Sequence, residues 1–109
     1  MDYEMIDARI GDLIKKGKSI IATAHHHEET EHWIGALFEG KVNIPRFNQW
    51  RTETLFFLEN IFGRESSYFE EFEKVCYDNR AQNVELGIAV LESIKNELDF
   101  QKRYKSKLK

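Results

Sequence analysis

The residues of this chain best suited to chemistry crowd into one short stretch. All four histidines, His25, His26, His27 and His32, fall within eight positions, with Glu28 and Glu29 between them. On a helix, His25, Glu28 or Glu29, and His32 stand at i, i+3/i+4 and i+7 on one face. That presents two imidazoles and a carboxylate to a metal such as zinc. The candidate metal ligands are therefore His25, His27, Glu28, Glu29 and His32. Adjacent histidines point in different directions on a helix, so only some of them ligate together. The competing reading is an exposed polar loop with solvated histidines. The expectation is no cofactor, beyond zinc held adventitiously or structurally by this segment.

Other chemistry-bearing patterns are thinner. Residues 35–41, GALFEGK, have the glycine spacing of a phosphate loop, but Val42 stands where a metal-binding Ser or Thr belongs. Residues 11–19 end correctly in Gly17-Lys18-Ser19, with one residue too many, and lie inside a helical pattern. A phosphate loop needs strand, loop and helix in that order, and neither stretch has them. Cys76 follows an acidic helix pattern beside Val75 and Tyr77. Nearby negative charge and a helix C-terminus both disfavour a thiolate, so it reads as a small core residue. Ser66 and Ser67 read as helix caps, and Glu70, Glu71 and Glu73 as a solvated face. No residue is assigned a catalytic role, and the chain is read as non-enzymatic.

Charge is unevenly placed. Of 16 Lys and Arg, five fall in residues 102–109, KRYKSKLK, which hold no acid. The first 101 residues carry the other 11 and all 19 acids, a net −8. An acidic body argues against nucleic acid as the partner of the folded surface, and leaves only the basic tail as a phosphate contact. A single cysteine makes no intrachain disulfide, which fits a reducing setting. No run is long and apolar enough to span a bilayer. The expected location is the bacterial host cytoplasm, with no membrane partner.

The elements that position these residues are helices. There is one proline among 109 residues. Residues 2–24 carry Ile6, Ile10, Leu13, Ile14, Ile20 and Ile21 on one stripe, with Asp2 as a possible cap and Gly17 as a possible break. Residues 25–44 are the least periodic part and read as a long connection, with a short helical piece at residues 31–38. Asn43-Ile44-Pro45 is a helix start, and the second helix runs over residues 45–62 to a left-handed cap at Gly63. Nine of the 14 aromatics lie in residues 47–77. Phe47, Trp50, Leu58, Ile61 and Phe62 share a face that Leu55, Phe56 and Phe57 widen, so this helix is expected to be the central, most buried one. Ser67 and Glu70 form a capping box for a third helix, and Val84, Ile88, Leu91, Ile94 and Leu98 line a fourth from residue 81 to 100 or beyond.

Trp50, Leu58, Phe62-Gly63, Ser66 or Ser67, Tyr68 and Phe72 stand in an order that resembles a small helical module of bacteria and their phages. The apolar helix after them and the helix and variable loop before them are similar too, so the resemblance covers most of residues 6–98. Modules of that kind sit ahead of TIR-like or other effector domains in antiphage and abortive-infection proteins, and occur alone in prophage reading frames. The resemblance implies a helical interaction or oligomerisation module and hands over no catalytic residue. The 109 residues contain no effector domain, and the His-rich loop has no counterpart in the module.

The chain is therefore expected to be all-α, a compact bundle of about four helices with a long first connection. Residues 1–101 form the domain and 102–109 the basic tail. The expected function is protein interaction or oligomerisation, in phage or bacterial defence, through Trp33, Leu37, Phe38 and Arg51. The alternatives are a phage anti-defence inhibitor with an acidic surface, or a metal-binding protein using the His-rich segment. Partners are a protein or further copies of the chain.

Overall fold

The structure is a computed structural model. It describes residues 2–27 and 40–108, with side chains at 2–24 and 40–104. Among them are four helices, which we number α1 (Tyr3–His27), α2 (Ile44–Phe62), α3 (Ser67–Val75) and α4 (Ala81–Leu108). The fold is an all-α bundle.

Local signals set most of the boundaries. Asp2 Oδ1 accepts from the Met5 N–H at 3.1 Å, so α1 begins on a side-chain cap. It runs unbroken through Gly17 and beyond residue 24, taking in His25 to His27. Asn43 Oδ1 accepts from the Arg46 N–H at 3.0 Å, and Pro45 sits in the first turn of α2. Gly63 ends α2 at φ 91° and ψ 157°, donating its N–H to Glu59 O. The positive φ is as expected of glycine, but ψ is extended, so the chain leaves straight into a turn instead of curling into a left-handed cap.

The third helix corrects the expected capping box by one residue. Ser66, not Ser67, is the cap. Its backbone is extended (φ −71°, ψ 149°) and its Oγ accepts from the Phe69 N–H at 3.1 Å. Ser67 is already helical, and Glu70 falls one place past the position that reaches back in a capping box. Phe62 and Tyr68 pack edge-on across the turn with ring centroids 5.1 Å apart, fixing the angle between α2 and α3.

Residues 40–42 and 79–81 clasp each other before α4. The Val42 N–H donates to Asn79 O and the Ala81 N–H to Gly40 O, each at 2.8 Å. Asn79 Nδ2 adds a bond to Val42 O at 3.1 Å, and Thr23 Oγ1 accepts from the Asn43 N–H at 3.2 Å. The end of α1, the start of α2 and the start of α4 are thereby tied together.

From there α4 runs antiparallel to α1. Lys95 Nζ bonds Asp7 Oδ1 at 2.9 Å, and Lys18 stands 3.9 Å from Glu92. Ile6, Ile10, Leu13, Ile14 and Ile20 of α1 are buried with Val84, Ile88, Leu91, Ile94 and Leu98 of α4. This long seam is the backbone of the bundle, and it overturns the expectation that α2 is the most buried helix. Only Phe47, Trp50, Thr54 and Leu58 of α2 are buried, and Phe56 is 66% exposed. Counting aromatics overstated its burial because they surround the helix while its neighbours, α1 and α3, cover only part of it.

Candidate functional site

The centre of the packing is Trp50, whose side chain is 1% exposed. Its Nε1–H donates to Leu13 O in the middle of α1 at 2.8 Å. In an α-helix that carbonyl already accepts from the N–H of residue 17. The indole reaches it because residue 17 is glycine: a Cβ there would fall 2.9 Å from Trp50 Cζ2 and 2.8 Å from Ile88 Cγ1. On the other side, a Cβ on Gly87 would fall 3.1 Å from Trp50 Cη2 and 2.9 Å from Phe72 Cε2. The benzo edge of Trp50 thus occupies a notch between one glycine of α1 and one of α4. Phe72 meets the indole edge-on at 5.5 Å. Sequence reading took Gly17 for a weak point and gave Gly87 no role. A helix-interior glycine facing the apolar stripe was the signal that was available.

Next to this core, α1 and α2 leave a groove of about 220 Å³ over Trp50, bordered by Lys16, Ser19, Arg46, Gln49 and Glu53. Lys16 Nζ bonds Glu53 Oε1 at 3.2 Å across it. The volume is below the usual range for small-molecule sites. A second groove of about 480 Å³ lies between α1 and α4, lined by Gly11, Ile14, Lys15, Lys18, Glu92 and Lys95. Lys18 and Lys95 are spanned by the two ion pairs of the α1–α4 seam. Both grooves are lined by residues that hold the helices together.

Arg51, expected from sequence at a partner interface, is half-buried and ties two helices together. Its Nε–H donates to Cys76 O, the carbonyl just past α3, at 2.6 Å. A guanidinium on an end-of-helix carbonyl complements the negative pole of α3. Asn83 Nδ2 bonds the neighbouring carbonyl, Val75 O, at 2.9 Å. Two helices therefore supply the donors that α3 lacks. Cys76 is itself fully buried, and burial pushes its thiol up to about 12, partly offset by the positive charge of Arg51. It is a core thiol and no nucleophile at neutral pH.

The remaining sequence candidates are placed as follows. His25 and His27 close α1, and their side chains lie outside the described residues, as do Glu28, Glu29, His32, Trp33, Leu37 and Phe38. Among the described residues no group of three or more His, Cys, Asp or Glu could hold a metal ion. The phosphate-loop imitation at residues 11–19 is continuous helix, which turns its backbone N–H groups inward to carbonyls and away from any phosphate. No helix of the described residues is long and apolar enough to cross a membrane.

No family model, curated protein or solved structure matches the chain.

The surface feature that sequence reading passed over is on α4. Phe100 and Tyr104 are 50% and 54% exposed, with ring centroids 6.0 Å apart. They lie at the far end of the α1–α4 seam, Phe100 level with the start of α1 and Tyr104 one turn past it. The register set by Asp7 with Lys95 and by Gly17 with Ile88 brings Tyr3, the first residue of α1, level with residues 99–102. Helix α4 continues to Leu108.

Proposed function

We propose that the chain is a non-enzymatic helical module for protein interaction and self-association, as its resemblance to modules of phage and bacterial-defence proteins implies. The observation that carries this reading is the Phe100–Tyr104 pair. Two adjoining aromatic rings, each about half exposed, stand at the end of a helix that runs past its neighbour. Isolated exposed apolar residues are ordinary, but aromatic side chains grouped on a rigid element are typical of protein contact surfaces. The rest of the described chemistry supports the same view: Arg51, Cys76 and Trp50 each serve the bundle's own packing.

The test is association of the untagged chain. Sedimentation velocity over a wide concentration range, with a native pull-down from a bacterial lysate, is expected to give self-association or a stable protein partner. A chain that stays monomeric throughout and retains no partner refutes the reading.

A further inference from the structure

Three glycines lie inside helices among the described residues, and two have a packing reason. A Cβ on Gly17 or Gly87 would collide with Trp50 and its neighbours. Gly11 has no such reason. A Cβ there meets nothing within 4 Å, and its φ is not positive. Glycine in a helix interior weakens the helix relative to alanine. A residue that costs stability and relieves no contact inside the bundle points to something that lies against the helix from outside. Glycine suits that role, because it lets a ligand approach the backbone closely.

Gly11 lines the 480 Å³ groove between α1 and α4, whose volume is in the usual range for small-molecule sites. Gly11, Ile14, Lys15 and Lys18 stand at i, i+3, i+4 and i+7, so α1 presents them on one face. Helix α4 adds Glu92, Lys95 and Asn96. Gly11 is half-buried and Ile14 buried, whereas Lys15, Lys18, Glu92 and Asn96 are exposed. The inner lining is thus apolar and the outer lining polar. Three lysines against one glutamate give the lining a net +2, within a body of net −8.

The lysines are not equivalent. Lys95 is held at 2.9 Å by Asp7, one turn before Gly11. Lys18 stands 3.9 Å from Glu92, beyond hydrogen-bond range, and both side chains are half-exposed or more, so little holds that pair together. Lys15 forms no ion pair among the described residues. The free positive charge therefore collects at the Lys15–Lys18 end. From there to Gly11 is about 10 Å of helix.

We propose that this groove binds a small organic phosphate with a flat body. Lys15 and Lys18 take the phosphate, since ammonium groups bind phosphate oxygens through charge-assisted hydrogen bonds. The flat body lies over Ile14 and against the bare backbone of Gly11, with the Asn96 amide beside it. A long polyanion would have to cross the acidic surface around the groove, whereas a small anion fits within the basic patch. This goes beyond the module reading and does not depend on it, so failure here leaves the association test untouched.

Nuclear magnetic resonance titration of the full chain with phenyl phosphate at low salt tests this. The amides of Gly11, Lys15 and Asn96 are expected to shift together and to saturate. Gly11→Leu extends into open space, so it should keep the fold by circular dichroism while weakening binding at least about tenfold by filling the groove. Lys15→Gln with Lys18→Gln should weaken it comparably, and added salt should do the same to wild type. Lys16→Gln, on the other groove, should leave binding unchanged. Inorganic phosphate, which has no body to place on Gly11, should bind at least about tenfold more weakly than phenyl phosphate. Shifts spread over lysines all around the molecule, a folded Gly11→Leu that binds like wild type, or inorganic phosphate binding as tightly as phenyl phosphate each overturn the site. Benzoate binding as tightly as phenyl phosphate overturns the assignment of the head as phosphate.

Discussion

Gly11 and Gly17 sit in the same helix and face opposite fates on substitution by alanine. Helix propensity alone predicts that each change stabilises by up to ~1 kcal/mol. The structure separates them. A Cβ on Gly11 meets nothing within 4 Å, so Gly11→Ala should realise most of that gain. A Cβ on Gly17 meets Ile88 Cγ1 at 2.8 Å, Trp50 Cζ2 at 2.9 Å and Ile88 Cδ1 at 3.0 Å. Ordinary carbon contacts are about 3.5–4.0 Å, so α1 must move off Trp50 and Ile88 by roughly half an ångström or more. That movement also stretches the 2.8 Å bond from the indole to Leu13 O. Overpacking of a filled core costs about 1–3 kcal/mol, so the net for Gly17→Ala is a loss of up to about 2 kcal/mol after the propensity gain. For a domain of this size that lowers Tm by up to roughly 15 °C, while Gly11→Ala raises it by a few degrees. Thermal melts and urea titrations followed by circular dichroism at 222 nm would measure both, with an unchanged urea slope showing that the denatured state is not responsible. In a Trp50→Phe background the benzo edge is gone, and the cost of Gly17→Ala should shrink. If Gly17→Ala is as stabilising as Gly11→Ala, the glycine notch is not a close-packed contact and the account of Trp50 given above fails.

Two further outcomes follow from the core. Thr54 is fully buried and its hydroxyl finds no hydrogen-bond partner among the described residues; Thr54→Val, nearly the same shape, should stabilise by about 1 kcal/mol in the same titration, and a loss of stability would mean the hydroxyl is partnered. The Cys76 thiol stays neutral in the folded state up to about 12 but ionises near 9.0 when unfolded. The unfolded chain therefore holds fewer protons between those values, and this contribution to stability falls as pH rises from about 9 toward 12. Compared with Cys76→Ala, the wild type should lose about 2 kcal/mol more between pH 8 and pH 10.5; parallel pH profiles for the two proteins would exclude a buried neutral thiol.

Much of this was legible in the order of residues, and the reason is locality. Asp2, Asn43 with Pro45, and Gly63 act within a few residues of themselves, so their signals mark the helix ends in the sequence. The stripes of α1 and α4 were equally plain, because each helix has one broad neighbour. The choice between Ser66 and Ser67 failed by one place because both have the right side chain and only the backbone angles separate them. What sequence did not disclose depends on which helices cross and where. Gly17 and Gly87 look like weak points until Trp50 is seen between them. Arg51 has no local partner, since Cys76 O lies 25 residues away. The Phe100–Tyr104 pair escaped notice for a related reason: an apolar residue at the end of a helix reads as core unless the length of the neighbouring helix is known.

The Trp50 notch also bears on how this chain can change over generations. Three helices contribute one irreplaceable shape each: an indole from α2, a missing side chain from α1 and another from α4. A larger residue at 17 needs both Ile88 and Trp50 to give way, one at 87 needs Phe72 and Trp50 to do so, and a smaller residue at 50 leaves a hole until 17 or 87 has grown. The three positions are therefore expected to drift as a set, through intermediates less stable than either end. By contrast, the half-exposed face of Phe100 and Tyr104 fills no such interior space, so it can be rewritten for a new partner while the bundle beneath it stands still.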